Sequence, residues 1–341
     1  MKAAVWIAPN KLEIKEIPEP KPVPGEIIIK VLGCGVCGTD CHIFAGHVPL
    51  AKPPQVLGHE IYGEVIDSET GKSAFKSGQL VCVDPVIGCG TCLYCHQGKT
   101  NLCQHPTIIG YARTGGFAQY TRVPQDHLYP MSEKGGRRGG ILAETLACVL
   151  HGYDRLNLEA GKTVLILGAG CVGLLWTQLI KHSVATRLIQ TEIIPYRGNI
   201  AKKLGADLTV DAREKNWQLK VRNLEPGGID YIIDTTGNSQ AIQQSLELLN
   251  PGGTFMIFGV CPADERVTVS PYDMFAKELT FMGSKMPPMA LHRAVQIIET
   301  GLINQNALVT TTMPLEQLGA GIQAFNNARD KHIKIMIDPW I

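Results

Sequence analysis

The sequence has no surplus of charge of either sign and no long apolar run, and each absence excludes a class of protein. Lys and Arg number 32 against 31 Asp and Glu, which leaves a formal net charge of +1. So weak a charge does not attract nucleic acid or an anionic membrane surface, and neither is expected as a partner. No apolar stretch approaches the roughly 20 residues that a membrane-spanning helix needs.

The sequence also lacks the signs of a disulfide framework and of a secretory signal. Eleven cysteines in 341 residues are too few for a disulfide scaffold. The N-terminal residues reach Pro9 and charged side chains too early for a signal peptide. We therefore expect a cytoplasmic location, where clustered cysteines typically bind metal rather than form disulfides.

The length of 341 residues is enough for two domains of ordinary size. The first part of the chain is predicted to be β-rich, because short apolar segments such as 26–31 and 78–83 alternate with Gly, Pro and charged turns. A helix is predicted over 142–156, and the last apolar strand, at 333–337, is expected to return to the first domain. The predicted domains are residues 1–150 with 289–341, and residues 151–288.

From Lys162 onward, apolar strands alternate with amphipathic helical stretches. One such stretch, 241–249, is expected to end at Asn250-Pro251-Gly252-Gly253. Strands with helical crossovers predict a doubly wound parallel sheet. The candidate strands are 163–167, 187–192, 207–210, 230–235, 254–259 and 279–283.

A glycine motif follows the first of these strands and points to a dinucleotide site. It reads Gly168-Ala169-Gly170-Cys171-Val172-Gly173 and leads into a helical stretch. Gly168 would allow a tight turn, Gly170 the close approach of a pyrophosphate, and Gly173 close packing of helix on strand. The backbone N–H groups at the helix start, Val172 among them, would face the phosphates.

An acidic residue supports this prediction and favours one form of the cofactor. Glu192 ends the second strand of the unit, about 20 residues after the motif, where a carboxylate can accept hydrogen bonds from the ribose hydroxyls. A carboxylate there repels a 2′-phosphate, so NAD is favoured over NADP. Arg197 could instead hold such a phosphate, although we expect it to pack over adenine or pair with Glu192. Thr236, Gly259 and Val260 follow later strands and should line the same cofactor site.

Four cysteines with close spacing predict a closed metal site. Cys89, Cys92 and Cys95 are followed shortly by Cys103. Four thiolates around one ion form a tetrahedral zinc site without an open position, which is typical of a structural role.

A second set of metal-binding residues lies upstream. Cys37 and the run Gly58-His59-Glu60 supply a thiolate, an imidazole and a carboxylate. With these residues in place, the chain resembles the zinc-dependent medium-chain dehydrogenase/reductase family, and most of all its sorbitol (polyol) dehydrogenase branch. The resemblance runs over nearly the whole chain, and the motifs occur in the family's order and spacing. It implies an α/β protein with a β-rich GroES-like catalytic domain and a doubly wound Rossmann domain.

The resemblance implies that Cys37 and His59 bind a catalytic zinc ion, beside the structural one. The third ligand is open: Glu144 stands where the polyol branch has a glutamate, Glu60 can also approach or bind the ion, and Cys148 lies one helical turn after Glu144. Asp40 is expected either to accept a hydrogen bond from His59 or to cap a helix.

The activity implied is oxidation of a polyol or related secondary alcohol to a ketone, with hydride transfer to NAD. Thr39 and His42 would relay the proton, and Glu60 would assist at the metal. The alternatives are a threonine or sugar dehydrogenase on the same scaffold, or a zinc-binding module without catalysis. The family resemblance further implies a homodimer or homotetramer.

One segment departs from the family pattern. Residues 134–140, Lys-Gly-Gly-Arg-Arg-Gly-Gly, are basic and rich in glycine just before Glu144. We expect a solvated, mobile loop that could shape access to the site. The two arginines also leave open an acidic or phosphorylated substrate.

Overall fold

The computed structural model of the chain describes residues 1–67, 74–185, 187–327 and 330–341. The residues fall into two compact units. One joins Met1–Ala147 to Pro287–Ile341, and the other is Cys148–Met286. In the described ranges, no helix combines the length and the apolar character needed to cross a membrane.

Helices and strands alternate irregularly along the chain in the first unit and more regularly in the second. They are β1 (Lys2–Ala8), β2 (Lys11–Glu16), β3 (Glu26–Gly35), α1 (Gly38–Phe44), β4 (Gln55–Val56), β5 (Glu60–Asp67), β6 (Leu80–Val83), β7 (Val86–Ile87), α2 (Leu93–His96), β8 (Thr107–Ile108), β9 (Tyr120–Pro124), β10 (Leu128–Pro130), α3 (Gly136–Leu156), β11 (Thr163–Leu167), α4 (Cys171–Lys181), β12 (Arg187–Glu192), α5 (Pro195–Leu204), β13 (Leu208–Asp211), α6 (Trp217–Leu224), β14 (Ile229–Asp234), α7 (Ser239–Ser245), β15 (Leu249–Ile257), α8 (Pro271–Ala276), β16 (Thr280–Gly283), α9 (Leu291–Glu299), α10 (Gln305–Leu308), β17 (Val309–Pro314), α11 (Leu318–Asn327) and β18 (Lys334–Asp338).

The first unit is built on a mixed sheet with the strand order β10-β6-β5-β3-β18-β17, in which β9 also pairs with β3. Smaller sheets, β2-β1-β4 and β7-β8, complete it. The final strand β18 lies between β3 and β17, with Met336 opposite Gly35 and Ile337 opposite Cys34. Because β18 is internal, its five residues are all buried, and this includes the charged Lys334.

The core of this unit comes from the alternation of side chains along its strands. In β3, Ile27, Ile29 and Val31 point to one face, as period-two geometry requires, and all three are buried. Ile335 and Ile337 of β18 join the same core. The sheet therefore carries its metal-binding residues at the ends of strands whose middles are held by apolar packing.

The second unit is a six-stranded parallel sheet in the order β13-β12-β11-β14-β15-β16. Numbered within the unit, this is the order 3-2-1-4-5-6 of the doubly wound dinucleotide-binding fold. The central strand β11 is a continuous apolar run whose last four residues are buried, as expected for a parallel strand covered on both faces. The predicted parallel sheet is confirmed, and β11 and β12 have the predicted bounds.

Two local predictions were wrong. The segment 134–140 is not a mobile loop, because helix α3 begins at Gly136 and Arg137 pairs with the buried Asp338 at 2.7 Å. Asn250–Gly253 does not end a helix that runs to residue 249. Helix α7 ends at Ser245, and strand β15 already starts at Leu249, which is buried and pairs with Ile229 across an irregularity in the ladder.

Candidate active site

Three potential metal ligands meet where two elements of the first unit begin. Cys37 directly precedes helix α1, His59 directly precedes strand β5, and Glu60 is the first residue of that strand. Their ligand atoms all lie within 4.8 Å of one another. His59 is 5% exposed and Glu60 is fully buried, whereas Cys37 is half-buried. A thiolate, an imidazole and a carboxylate at this separation are a donor set suited to zinc.

Asp40 connects two of these residues. Its Oδ2 accepts a hydrogen bond from the Cys37 backbone N–H at 2.9 Å, and its Oδ1 lies 3.3 Å from Nδ1 of His59. Both Oδ1 and Nδ1 are buried, and neither has a directed hydrogen bond elsewhere among the described residues. An Nδ1–H facing Asp40 leaves Nε2 as the atom that can bind a metal. Asp40 thus faces His59 as predicted, but it is not the N-cap of the helix: the N-cap is Cys37, and Asp40 is the third residue of α1, whose carboxylate reaches back to the N-cap.

Asp40 places a carboxylate beside His59. Burial alone would lower the pKa of His59, but Asp40, with Tyr111 and Cys37 nearby, outweighs this effect and holds the pKa well above its ordinary value. A cation is therefore favoured beside this imidazole. The three converging donors fit a bound zinc ion.

Glu60 has a partner that the sequence reasoning missed. Lys334 Nζ lies 2.6 and 2.7 Å from the two carboxylate oxygens of Glu60 and donates to the carbonyl of Val36 at 3.3 Å. Thr145 Oγ1 donates to Glu60 Oε1 at 2.6 Å. Lys334 is 2% exposed, so this is a buried ion pair. The one signal in the sequence was a lysine inside an otherwise apolar strand.

Glu144 and Cys148, the other proposed third ligands, are not in the three-residue cluster found among the described residues. Glu144 is 9% exposed, on helix α3. Its negative charge is among the causes that raise the pKa of Tyr111. Cys148 is half-buried and belongs to the other compact unit. Among the described residues, Glu60 is therefore the carboxylate that forms a possible ligand set with Cys37 and His59.

The two predicted relay residues both lie on α1. The Cys37 Sγ faces Thr39 Oγ1 at 3.7 Å, so the threonine hydroxyl adjoins the donor cluster. His42 is exposed, and its ring centroid is 6.4 Å from that of His47. Thr39 and His42 are three residues apart, so their side chains lie on the same side of α1.

The four cysteines of the second cluster converge around helix α2. Their sulfur atoms lie within 4.8 Å of one another, and Cys92 Sγ is 3.9 Å from Cys103 Sγ. Tetrahedral coordination with zinc–sulfur bonds of about 2.3 Å places sulfur atoms about 3.8 Å apart. Backbone N–H groups at Thr91 and Cys92, with the Thr91 hydroxyl, lower the pKa of Cys89 to about 5. The set fits a closed zinc site.

The glycine motif has the backbone that was predicted for it. Gly168 has φ +92°, in the left-handed region that favours glycine. Gly170 is the N-cap of α4, and Val172 is the second residue of that helix. A Cβ on Gly173 would collide with the carbonyl of Gly168, so only glycine allows the helix to start so close to the strand. The first turn of α4 can therefore present its N–H groups to a phosphate.

Glu192 is fixed at the end of β12 by backbone donors. Its Oε2 accepts from the Ala169 N–H at 2.7 Å, and its Oε1 accepts from Ile193 and Ile194 at 2.7 and 3.0 Å. The carboxylate is thereby tied to the glycine motif, and it also lines a cavity of about 220 Å³. Arg197, in the first turns of α5, has its Nη1 3.8 Å from where a Cβ on Gly170 would lie. Both side chains thus border the motif.

Thr236, Gly259 and Val260 lie together at the carboxyl ends of β14 and β15. The buried carboxylate of Asp234 accepts hydrogen bonds from the Thr236 N–H and hydroxyl at 2.9 and 2.6 Å. The Gly259 N–H donates to the Asp234 carbonyl at 2.8 Å. Val260 is 82% exposed. In a doubly wound sheet, this edge is where ligands bind.

The comparisons with known proteins agree with this picture. Residues 23–133 match the alcohol dehydrogenase GroES-like domain, and residues 171–300 match the zinc-binding dehydrogenase family. D-arabinitol dehydrogenase 1 of Uromyces fabae is 30% identical over 345 residues, which cover 99% of this chain and 97% of that protein. L-threonine 3-dehydrogenase of Pyrococcus furiosus is 32% identical over 306 residues, 87% of each chain.

Among solved structures, a Sinorhizobium meliloti protein bound to NADP has a TM-score of 0.94 and 33% identity, with 99% of both chains covered. The chain therefore belongs to the zinc-dependent medium-chain dehydrogenase/reductase family, and it is an oxidoreductase acting on CH–OH groups. Its relatives include polyol dehydrogenases. The family and the fold class predicted from the sequence are confirmed.

Proposed function

We propose that the protein oxidises a polyol or a related secondary alcohol to a ketone and transfers the hydride to NAD. The observation that carries this proposal is the cluster of Cys37, His59 and Glu60, whose ligand atoms lie within 4.8 Å of one another. Three protein donors leave one position of a tetrahedral zinc ion open, as a catalytic site needs.

Zinc held by these residues would act as a Lewis acid that lowers the pKa of a substrate hydroxyl. Asp40 keeps His59 in the tautomer that binds metal through Nε2. Thr39, next to Cys37, accepts the proton released by the substrate and passes it towards His42. His42 is exposed and can exchange the proton with solvent. Glu60 is the third protein donor in this proposal, and Glu144 is the alternative to it.

NAD is the proposed cofactor because of the way Glu192 is held. Three backbone N–H groups fix its carboxylate at the end of β12, where the adenosine ribose lies in doubly wound dinucleotide-binding folds. A fixed anion there can accept hydrogen bonds from ribose hydroxyls and repels a 2′-phosphate. The Sinorhizobium meliloti neighbour was solved with NADP, so cofactor preference is a direct test of this part.

L-threonine is a second candidate substrate, because a relative at 32% identity is an L-threonine 3-dehydrogenase. Both reactions oxidise a secondary alcohol and use the same metal chemistry. A zinc-binding module without catalysis is disfavoured, since the donor cluster, Asp40 and Thr39 are all assembled in one site.

We further propose that the chain forms a homodimer or homotetramer. Strand β16 is at the edge of its sheet, and among the described strands it pairs with β15 only. Next to it, Tyr272 and Phe275 of α8 are 76% and 82% exposed. Exposed aromatic side chains beside an open strand edge are typical of a surface that another chain covers.

The proposed activity is tested by following absorbance at 340 nm with zinc-loaded protein, both cofactors, a panel of C4 to C6 polyols, and L-threonine. Polyol-dependent reduction of NAD is expected. The variant Glu192→Gln should narrow the preference for NAD over NADP, because it removes the anion that repels the 2′-phosphate. Silence across the panel with zinc bound would refute the enzymatic proposal, and unchanged cofactor preference in the variant would refute the role of Glu192.

A further inference from the structure

An aromatic side chain that the mechanism leaves unused lies against a candidate zinc ligand. The rings of Tyr111 and His59 are 5.6 Å apart between centroids and meet edge to face at 87°. Tyr111 is half-buried, and its phenol is within electrostatic range of Cys37, Asp40 and Glu144. The hydroxyl of this residue is therefore in the immediate surroundings of the donor cluster.

The loop that carries Tyr111 is fixed to the segment that carries His59. The N–H groups of Gly115, Gly116 and Phe117 donate to the carbonyls of Val56, Gly58 and Leu57 at 2.9, 2.9 and 3.0 Å. The Gly110 N–H donates to the Arg113 carbonyl at 2.9 Å and closes the turn around Tyr111. These contacts run up to the residue before His59, so the tyrosine is held in place relative to the metal ligands. A side chain on such a rigid support can select between substrates.

Among the described residues, none hydrogen-bonds the Tyr111 hydroxyl. The phenol of a tyrosine can donate a hydrogen bond and can also accept one. When a substrate displaces water from a half-buried hydroxyl, the hydroxyl needs a replacement partner or loses free energy. A substrate with a single hydroxyl cannot supply this replacement partner, because its only hydroxyl is the one being oxidised.

We propose that Tyr111 is a specificity-determining residue whose hydroxyl hydrogen-bonds a second hydroxyl of the substrate and so selects diols and polyols over simple alcohols. This inference rests on the proposed oxidation of a polyol or secondary alcohol. A site that hydrogen-bonds a substrate hydroxyl discriminates strongly against the analogue that lacks it, because the protein group is then left unpaired.

The test compares 2,3-butanediol with 2-butanol, which differ by one hydroxyl, in wild-type protein and in Tyr111→Phe. The variant keeps the ring and its edge contact with His59 and removes only the hydroxyl. We expect kcat/KM for the diol, and for a C5 polyol, to fall about 5- to 10-fold, which is the effect of losing the net contribution of one hydrogen bond. The value for 2-butanol should stay within about twofold, since its ground state and transition state make no use of the phenol.

Tyr120→Phe is the matched control. Tyr120 belongs to the same unit and also makes an edge contact, with Trp340 at 5.6 Å and 80°, but it does not contact a proposed ligand. It should leave both substrates unaffected. Zinc content and circular dichroism of each variant establish that the fold and the metal are retained.

Equal losses for the diol and 2-butanol in Tyr111→Phe would overturn the inference, as would no loss for either. L-threonine is measured as a further substrate: a loss confined to it would also overturn the inference and would assign the hydroxyl to an amino-acid substrate. A wild-type protein that oxidises 2-butanol and the diol equally well contradicts the inference alone. A wild-type protein that oxidises no alcohol contradicts the proposed function, and with it the inference.

Discussion

At the scale of single residues, the candidate metal centre depends on a lysine from the last strand. Lys334 and Glu60 are both almost fully buried and form a close ion pair, and Thr145 adds a hydrogen bond to the same carboxylate. A carboxylate so neutralised can remain ionised inside the protein. Each carboxylate oxygen also has a second lone pair, so these partners do not prevent Glu60 from binding a metal.

We predict that Lys334→Met destabilises the protein by about 3–5 kcal/mol, since it leaves the Glu60 charge buried without its counter-ion. The free energy of unfolding, measured with urea on the zinc-loaded protein, checks this. Lys334→Arg is the control that keeps the charge and should lose less. The double variant Lys334→Met with Glu60→Gln should recover part of the loss, because no buried charge remains unpaired. A Met variant as stable as wild type would contradict the importance of this pair.

At the scale of elements, the two cysteine sites sit in different local structures. The four-cysteine cluster is formed by the short helix α2 and the turns around it, which have little apolar packing of their own: Leu93 and Leu102 are 65% and 43% exposed. Cys37 instead caps a helix next to the buried core of the mixed sheet. A metal bound by the four cysteines should therefore stabilise the segment around α2, whereas a metal bound at Cys37 should supply reactivity.

We predict that Cys92→Ser and Cys37→Ser each lose one zinc ion but differ in their consequences. Cys92→Ser should lower the thermal midpoint and increase proteolysis within residues 89–103, because thiolate ligation of zinc holds this segment folded. Cys37→Ser should stay folded but lose more activity than the roughly 10- to 100-fold that loss of an outer partner of a metal ligand costs. Metal analysis, thermal denaturation and kcat/KM separate the two. Similar behaviour of both variants would refute the division into a structural and a catalytic site.

At the scale of the whole molecule, the proposed assembly would use the edge strand β16, which pairs only with β15 among the described strands. If two copies pair antiparallel about Phe281 and Met282, Glu278 of each copy lies opposite Lys285 of the other. Such pairing about a two-fold axis is an isologous interface, the commonest kind in homo-oligomers. It would also bring the exposed aromatic residues of α8 near the junction.

We predict that Tyr272→Asp combined with Phe275→Asp shifts the oligomer towards the monomer, because the charges replace apolar contact area at the proposed interface. Sedimentation velocity over a range of protein concentrations measures the change. Aspartate substitution at Leu219, which is 55% exposed on α6 of the same unit, is the control and should leave the assembly intact. A wild-type monomer at micromolar concentration would contradict the proposed assembly, and an unchanged oligomer in the double variant would exclude this surface.

The sequence by itself determined the features that depend on the spacing of neighbouring residues. The glycine motif after β11, the cysteines 89–103 and the alternation of strands and helices are patterns of neighbouring residues, so the turn, the closed donor cluster and the doubly wound sheet could be predicted from them. The same reasoning failed for 134–140. Glycine and arginine there suggest a loop, but pairing of Arg137 with Asp338 helps to hold the segment as the start of a helix.

The tertiary structure alone decided which distant side chains meet at the site. Lys334 and Glu60 are 274 residues apart, and no local pattern encodes their pairing. It arises because β18 enters the middle of the mixed sheet, next to the strand that pairs with β5. Tyr111 reaches His59 for a similar reason, through backbone hydrogen bonds between two loops. Spacing along the chain indicates which chemistry is available, whereas the tertiary structure decides which charges are neutralised and which aromatic ring lies against His59.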